Sequence, residues 1–478
     1  MRRMNGMDAF WIHNDNINTV QHTLKIAILD PSTASGGWSF DRHRDALRAL
    51  PKVLPFTRWK YLKVPFGLHH PVWVEDPDFD IDYHIRHVAC PAPGDNRALC
   101  DLISQLYISP LDHHRPLWMV WVIEGLQGGR VANVMLLHHA YADGSGVSLM
   151  MQRCFKPKPF AFSMRYKAPE AAPLPSRLRL LAGALADLPG TFIRSIPIVV
   201  RGVVKTRQLV KRRIAEGREL APNLFKDKRD SPVNDMVSAC RSFVFETFEL
   251  ALIKRISKKY QVTINDLFVA CAASMYRRFL IDKGYDPDTG PLLTAIPVSR
   301  RLLSATDDGL GNKMTTDVLA MPVHVAEPLA RLAAAHDAGK IMKEHYRETE
   351  GADMGSVLEL LPEFAIKLLN RSIARTRGKS GMGGNAMLSN VPGPKETLYL
   401  GDTRLDNWVS SGQVTHGMAI NVTAWSYAEN FNLCVLADKK LLPDGWLFIR
   451  YFSAALDEYD RLAGQASETS QAQQMQIA

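Results

Sequence analysis

Closely paired cysteines, an acidic excess and an unbroken apolar stretch are all missing from this 478-residue sequence. The six cysteines (Cys90, Cys100, Cys154, Cys240, Cys271 and Cys434) are scattered. That spacing argues against a disulfide framework or a metal site and suits free thiols in a reducing cytoplasm. The start, "MRRMNGMDAFWIH", has charge but no apolar core, so no secretory leader is expected. A spanning helix needs about 20 apolar residues. The nearest stretch, "LPGTFIRSIPIVVRGVV" from Leu188, is interrupted by Arg194, Pro197 and Arg201, so no membrane span is expected. Nothing resembles a zinc finger or an RNA-recognition signature, and no nucleic-acid partner is expected.

What is present is a soluble globular composition, 46% hydrophobic and 22% charged. Lysine and arginine outnumber aspartate and glutamate by 58 to 49, leaving a net charge of +9. That balance favours anionic partners such as acidic lipid headgroups or a phosphorylated cofactor. The length exceeds one ordinary core and predicts two domains.

The pattern along the chain supports that division. Residues 22–30, "HTLKIAILD", alternate like a half-buried strand, and residues 42–53, "RHRDALRALPKV", have the period of an amphipathic helix. "RVANVMLLHH" reads as a buried strand that closes a first domain over residues 1–155. Residues 156–175 are rich in proline and lysine and read as a linker. A basic helical segment follows, with Lys205, Arg207, Lys211, Arg212 and Arg213 beside Val203, Val204, Leu209 and Val210. Its plainer and preferred reading is a solvated crossover helix, so that residues 156–234 join the domains; its sharper reading is an amphipathic helix that meets anionic lipid. A second domain, residues 235–465, opens with the alternating "RSFVFETFEL" and contains the strand "LLTAIPVS". A polar tail, residues 466–478, ends the chain. Strands alternating with helices in both halves predict two α/β domains, with a substrate tunnel between them.

Three adjacent histidine pairs occur, His69–His70, His113–His114 and His138–His139, and only the last continues as H-H-x-x-x-D-G. A histidine at a strand end facing an interdomain cavity can act as general base, because its pKa lies near the operating pH. Asp143 could pair with His139 as in a catalytic triad, but the preferred reading turns it away, to pair with an arginine and fix the loop. Gly144 would permit a sharp turn or close approach of substrate, and Ser145 could cap the helix "GVSLMMQRC". The plain alternative is two ordinary histidines in a strand–turn–helix connection.

The motif resembles that of the acyl-CoA-dependent acyltransferase superfamily. Other stretches resemble one branch, the bacterial wax ester synthase/diacylglycerol acyltransferases. These are "PVWVEDPDFDIDYHIRHVACPAPG", "RPLW" at Arg115 to Trp118, Asn265–Asp266, "IPVSRR", Gly311–Asn312, "LSNVPGP" at Leu388 to Pro394, and "HGMAINVTAWSY" from His416. They follow the family's order over roughly residues 7 to 465. Two departures bear on acceptor preference and linker path. "VQHTL" (Val20 to Leu24) stands where the family usually has Pro-Met-His-Val-Gly, and the segment between Cys154 and Ser176 is short.

The resemblance implies an α/β fold of two chloramphenicol-acetyltransferase-like domains joined by a helical linker, with the active site in the tunnel between them. It implies His139 as base, His138 as supporting neighbour, and direct attack of an acceptor hydroxyl on the acyl-CoA thioester. The absence of a G-x-S-x-G elbow agrees with a route that needs no acyl-enzyme. Asn265 is the candidate oxyanion donor and Asp266 a helix cap, since Thr263 and Asp266 form a T-x-x-D pattern. Asp266, Ser389, Asn390 and Gly393 are candidates for shaping the substrate site, and Trp118 for packing. Arg300, Arg301 or the basic helix could meet coenzyme A phosphates. No bound cofactor or metal is expected; acyl-CoA would be co-substrate, with diacylglycerol or a long-chain alcohol as acceptor. The expected location is cytoplasmic, with peripheral contact at the plasma membrane or at lipid droplets. The rivals are a condensation-type or polyketide-associated acyltransferase and a non-catalytic lipid-binding homologue.

Overall fold

The computed structural model describes residues 1–161, 170–223, 227–299, 309–349, 354–376 and 384–477. Two six-stranded sheets organise it. The first runs, in spatial order, Tyr399–Leu400, Thr403–Ser411, His22–Asp30, Val131–His138, Trp118–Glu124 and Ile85–Ala89. The second runs Met314–Met321, Leu292–Ser299, Ala386–Val391, Ile420–Tyr427, Asn430–Asp438 and Arg241–Glu249. Within the second, Ala386–Val391 is parallel to both neighbours, and the other pairs are antiparallel.

The strands His22–Asp30 and Leu292–Ser299 fall where periodicity puts them. The two halves are not separable at residue 235, however. Thr403–Ser411 leaves the second half and pairs antiparallel with His22–Asp30, placing Ser410 beside Lys25 and Trp408 beside Ala27. The start of the expected linker also extends that sheet's edge, because Lys156 and Tyr399 exchange backbone hydrogen bonds of 3.0 and 2.8 Å. In the other direction, the helix Asn96–Tyr107 packs across onto the second sheet. Its Asn96 Nδ2 donates to Phe245 O at 2.8 Å, and Ser104 Oγ accepts from Phe243 N at 2.9 Å. Apolar side chains from both halves consequently merge into one continuous core.

The helix expected over residues 42–53 divides into Phe40–Leu47 and Leu50–Val53. Pro51 explains the break: it has no N–H to give, and its ring would clash with the carbonyl one turn back. The basic segment forms a single helix, Arg177–Ala215, with Pro189 and Pro197 inside it. It is long and apolar enough, by length and composition alone, to cross a membrane. It lies along the protein instead. Arg3 Nε reaches Asp187 Oδ2 at 2.9 Å near one end, and Arg213 reaches Glu344 at 2.8 Å near the other. The last helix continues to Ile477, so the backbone of the polar tail is helical through that residue.

Candidate active site

The Val131–His138 strand ends at the histidine pair, and the chain turns there into the helix Gly144–Cys154. His138 is fully buried, whereas His139 is half-buried. Their rings have different partners. His138 Nδ1 accepts the Ala140 N–H at 3.1 Å, so its proton sits on Nε2, which points at Asp15 Oδ2 3.5 Å away. The lone pair a base would need is thereby occupied.

His139 is arranged the other way round. Its Nδ1 lies 3.1 Å from Asn312 Oδ1. The Asn312 amide orientation follows from its other contacts: Nδ2 donates to Asp8 Oδ1 and to His139 O, both at 2.8 Å. An oxygen therefore faces the imidazole, Nδ1 carries the proton, and Nε2 keeps a free lone pair. Trp11 stacks on the ring, with centroids 4.6 Å apart and planes inclined by 24°. Burial pulls the His139 pKa down to about 4, so the imidazole is neutral at pH 7.

Asp8, fully buried on the N-terminal helix Gly6–Asn14, also accepts the Asn312 N–H at 2.8 Å. Burial outweighs these hydrogen bonds and raises its pKa to about 7. The neighbouring Gly311 has φ +83°, and a Cβ there would stand 3.0 Å from Asp8 Oδ2. Backbone conformation and close approach both call for glycine at that position.

Asp15 was not singled out by the sequence pattern, yet it ties two of the three histidine pairs together. Its Oδ2 accepts from His113 Nε2 at 2.9 Å and faces His138, its Oδ1 accepts the Gln21 N–H at 2.9 Å, and Tyr61 O–H reaches His113 Nδ1 at 2.6 Å. Burial opposes ionisation of Asp15, but the hydrogen bonds from His113, His138 and Gln21 prevail and hold it below the usual carboxylate range.

Asp143 turns away from His139. It caps the Gly144–Cys154 helix, accepting Gly146 N at 2.8 Å and Ser145 Oγ at 2.7 Å, while Oδ2 accepts Lys313 N at 2.7 Å. The cap is thus Asp143 and not Ser145, whose hydroxyl instead meets Ser299 Oγ at 2.9 Å. Gly144 is the first helical residue, without the left-handed φ that a sharp turn would demand. A Cβ there would meet Val391 Cγ2 at 3.4 Å, so the position marks where the two sheets approach each other.

A cavity of about 350 Å³ lies beside this cluster, with Met7, Trp11, Thr316, Ile373, Met387 and Met418 among its walls. Trp11 belongs to both the cavity and the His139 stack. Side chains alternate along strands, so Met387, Ser389 and Val391 share one face. On that face Met387 lines the cavity and Val391 approaches Gly144, with Ser389 between them along the strand. Asn390 lies on the opposite face. Gly393 has a packing cause: a Cβ would sit 2.0 Å from Ser426 O.

Asn265 is not brought to His139 by any described contact. Thr263 and Asp266 form the expected capping box of the helix Ile264–Asp282, and Asp266 Oδ2 also binds His336 Nδ1 at 2.8 Å. Asp266 thereby ties the start of this helix to Pro328–Glu348. Trp118 packs as expected, 1% exposed, with Nε1 donating to Thr57 O at 2.7 Å. Arg300 and Arg301 lie outside the described residues.

Comparison with known proteins places this geometry. A wax ester synthase/diacylglycerol acyltransferase catalytic-domain family model matches residues 4–268, and the corresponding C-terminal domain matches residues 310–460. A Mycobacterium tuberculosis protein named as a candidate diacylglycerol O-acyltransferase is 42% identical over 460 residues, covering 96% of this chain and 97% of its own. A second protein so named from that organism is 30% identical, covering 96% of this chain and 90% of its own. The wax ester synthase/diacylglycerol acyltransferase of Marinobacter aquaeolei VT8 has a similar fold, with TM-score 0.67, 22% identity, and coverage of 97% of this chain and 100% of its own. The first condensation domain of the CDA synthetase shares the fold more distantly, at TM-score 0.55 and 13% identity, covering 97% and 95%.

Proposed function

The chain belongs to the wax ester synthase/diacylglycerol acyltransferase family and is an acyltransferase; from that premise we propose that it moves a long-chain acyl group from acyl-CoA to the hydroxyl of diacylglycerol, of a long-chain alcohol, or of both. The observation that carries the reading is His139, neutral, held as the Nδ1–H tautomer by Asn312 and set beside an apolar cavity.

In this mechanism His139 Nε2 removes the acceptor's hydroxyl proton as its oxygen attacks the thioester carbonyl. A tetrahedral oxyanion forms and collapses with cleavage of the C–S bond. The imidazolium then returns the proton to the departing coenzyme A thiolate, and no acyl-enzyme intervenes. Asn312 stabilises the transient imidazolium through its oxygen, and Asp8 fixes Asn312. His138 and Asp15 support the loop from the buried side. Removing one oxyanion donor typically costs ~3 to 4 kcal/mol of barrier stabilisation. Ser389, on the strand face between Met387 at the cavity and Val391 at the catalytic loop, is one candidate for that role, and Asn265 at the start of its helix is the other. Asn390 and Gly393 shape the strand end, and Asp266 caps its helix.

All six cysteines are free thiols, in keeping with a cytoplasmic location. Apolar substrates of this kind support a peripheral position on a membrane or lipid-droplet surface as part of the same proposal. The test is incubation of purified protein with palmitoyl-CoA and each acceptor separately, following coenzyme A release and resolving the lipid products. Formation of either ester supports the reading. Formation of neither overturns it, and acyl-CoA binding without coenzyme A release would identify a lipid-binding homologue.

A further inference from the structure

The long helix Arg177–Ala215 has its amphipathicity reversed. Against the protein it turns mostly small side chains, among them Ala184, Thr191, Ser195 and Gly202. Outward it turns large apolar ones: Leu178 is 76% exposed, Ile193 73% and Ile214 63%, with Leu185, Ile196 and Val200 also exposed. A helix on a water-facing surface has the opposite arrangement. The sequence of this helix carries nine lysines and arginines and a single acid, Asp187, which pairs with Arg3.

Two other elements continue this surface. Phe66 is 88% exposed and sits at φ 61°, a left-handed conformation that costs a bulky residue energy. It shares a shallow depression with Arg177 and with Phe364 and Lys367 of the helix Glu363–Arg375. On that helix Phe364 and Leu368 point outward, while Leu369 and Ile373 line the cavity beside Trp11. One helix therefore separates the exposed apolar surface from the cavity.

We propose that the long helix, the Phe66 turn and the outer side of Glu363–Arg375 form a single docking face for an anionic lipid bilayer, and that the acyl acceptor enters the cavity sideways from that bilayer beneath Glu363–Arg375. The acceptor route rests on the acyltransferase reading above; the docking face does not. Charge selects the occupant. Basic residues interspersed with apolar ones match acidic headgroups over acyl chains, whereas a second copy of this chain would bring like charges together. A substrate drawn directly from lipid would also avoid exposing its chains to water.

The test uses the full chain, floated with phosphatidylcholine vesicles containing or lacking phosphatidylglycerol. The wild type should float with the anionic vesicles, and the triple variant Phe66→Ser, Ile193→Ser, Ile196→Ser should float at least 10-fold less. These exposed positions tolerate serine, and circular dichroism checks that the fold is kept. Coenzyme A release to a water-soluble alcohol should match wild type in the variant, while transfer to diacylglycerol in anionic vesicles should fall at least 10-fold. Wild type that fails to float, a variant that floats equally, or a concentration-dependent dimer that hides these residues overturns the docking face. Equal loss toward both acceptors overturns the entry route. If no acceptor is acylated at all, the acyltransferase reading fails and flotation still judges the face.

Discussion

His138 and His139, adjacent in the chain, hold their protons on opposite ring nitrogens. Ala140 N–H donates to Nδ1 of the first, and Nδ1–H of the second donates to Asn312 Oδ1. Only His139 presents a free Nε2 lone pair. His139→Ala should cost roughly 10²–10⁴-fold in kcat, the usual share of a general base. His138→Ala should leave measurable turnover, read by coenzyme A release; equal losses would refute the division of roles.

Asn312→Ala removes the acceptor that fixes the tautomer. The expected result is a fall in kcat of roughly 10²-fold with KM little changed, because the lost stabilisation belongs to the charged imidazole of the transition state. A change confined to KM would place Asn312 in substrate binding instead.

Ser389→Ala and Asn265→Ala should separate the two candidates for the oxyanion donor. The first should lower kcat by roughly 10²-fold, within the range for a lost donor, without moving the melting temperature. The second should leave kcat near wild type. The opposite pattern would return the role to Asn265.

The pH behaviour has a definite sign. Burial lowers the His139 pKa from 6.5 to about 4, so kcat/KM should keep its base form well below pH 6. For stability, the folded state binds fewer protons at His139 than the unfolded one between those values, so its contribution is present above pH 6.5 and is lost as pH falls toward 4. Asp8 acts oppositely. With its pKa raised from 3.8 to about 7 by burial, its contribution is greatest below pH 3.8 and is lost as pH rises through 7. Replacing Asp8 by Asn should therefore flatten the decline in melting temperature between about pH 4 and 7.

Gly311→Ala should destabilise the fold by roughly 1–3 kcal/mol, the usual cost of a strained left-handed residue. It should also reduce kcat, since the added carbon presses on Asp8. An unchanged melting temperature would show that the loop yields freely.

Individual strands and the histidine motif are legible in the sequence because both are local patterns. The strands at residues 22–30 and 292–299 are each read from residues adjacent in the chain. Asn312 was quoted within a motif but given no role, because its partner lies 173 residues earlier. Asp8, Trp11 and Asp15 gave no local signal: a carboxylate or an indole near the start of a chain looks like any other until folding brings the histidine to it. His113 seemed set apart from the third pair for the same reason, although Asp15 joins it to His138. The cap expected at Ser145 lies two positions earlier, at Asp143, and Gly144 opens the helix without the sharp turn expected of it. For the basic helix the sequence offers a lipid-facing reading beside a solvated one, but composition counts apolar residues without saying which way they face.

The strand Thr403–Ser411 has a consequence for how the protein is made. On the ribosome, His22–Asp30 emerges early, yet its partner on one edge follows only after most of the chain has been translated. At ~5–20 residues per second the first sheet waits tens of seconds with that edge open. An uncovered, apolar edge is a template for pairing with another nascent chain. Slowing synthesis between the two halves should therefore lower the yield of soluble protein, and a fragment ending before residue 399 should aggregate instead of folding as half an enzyme.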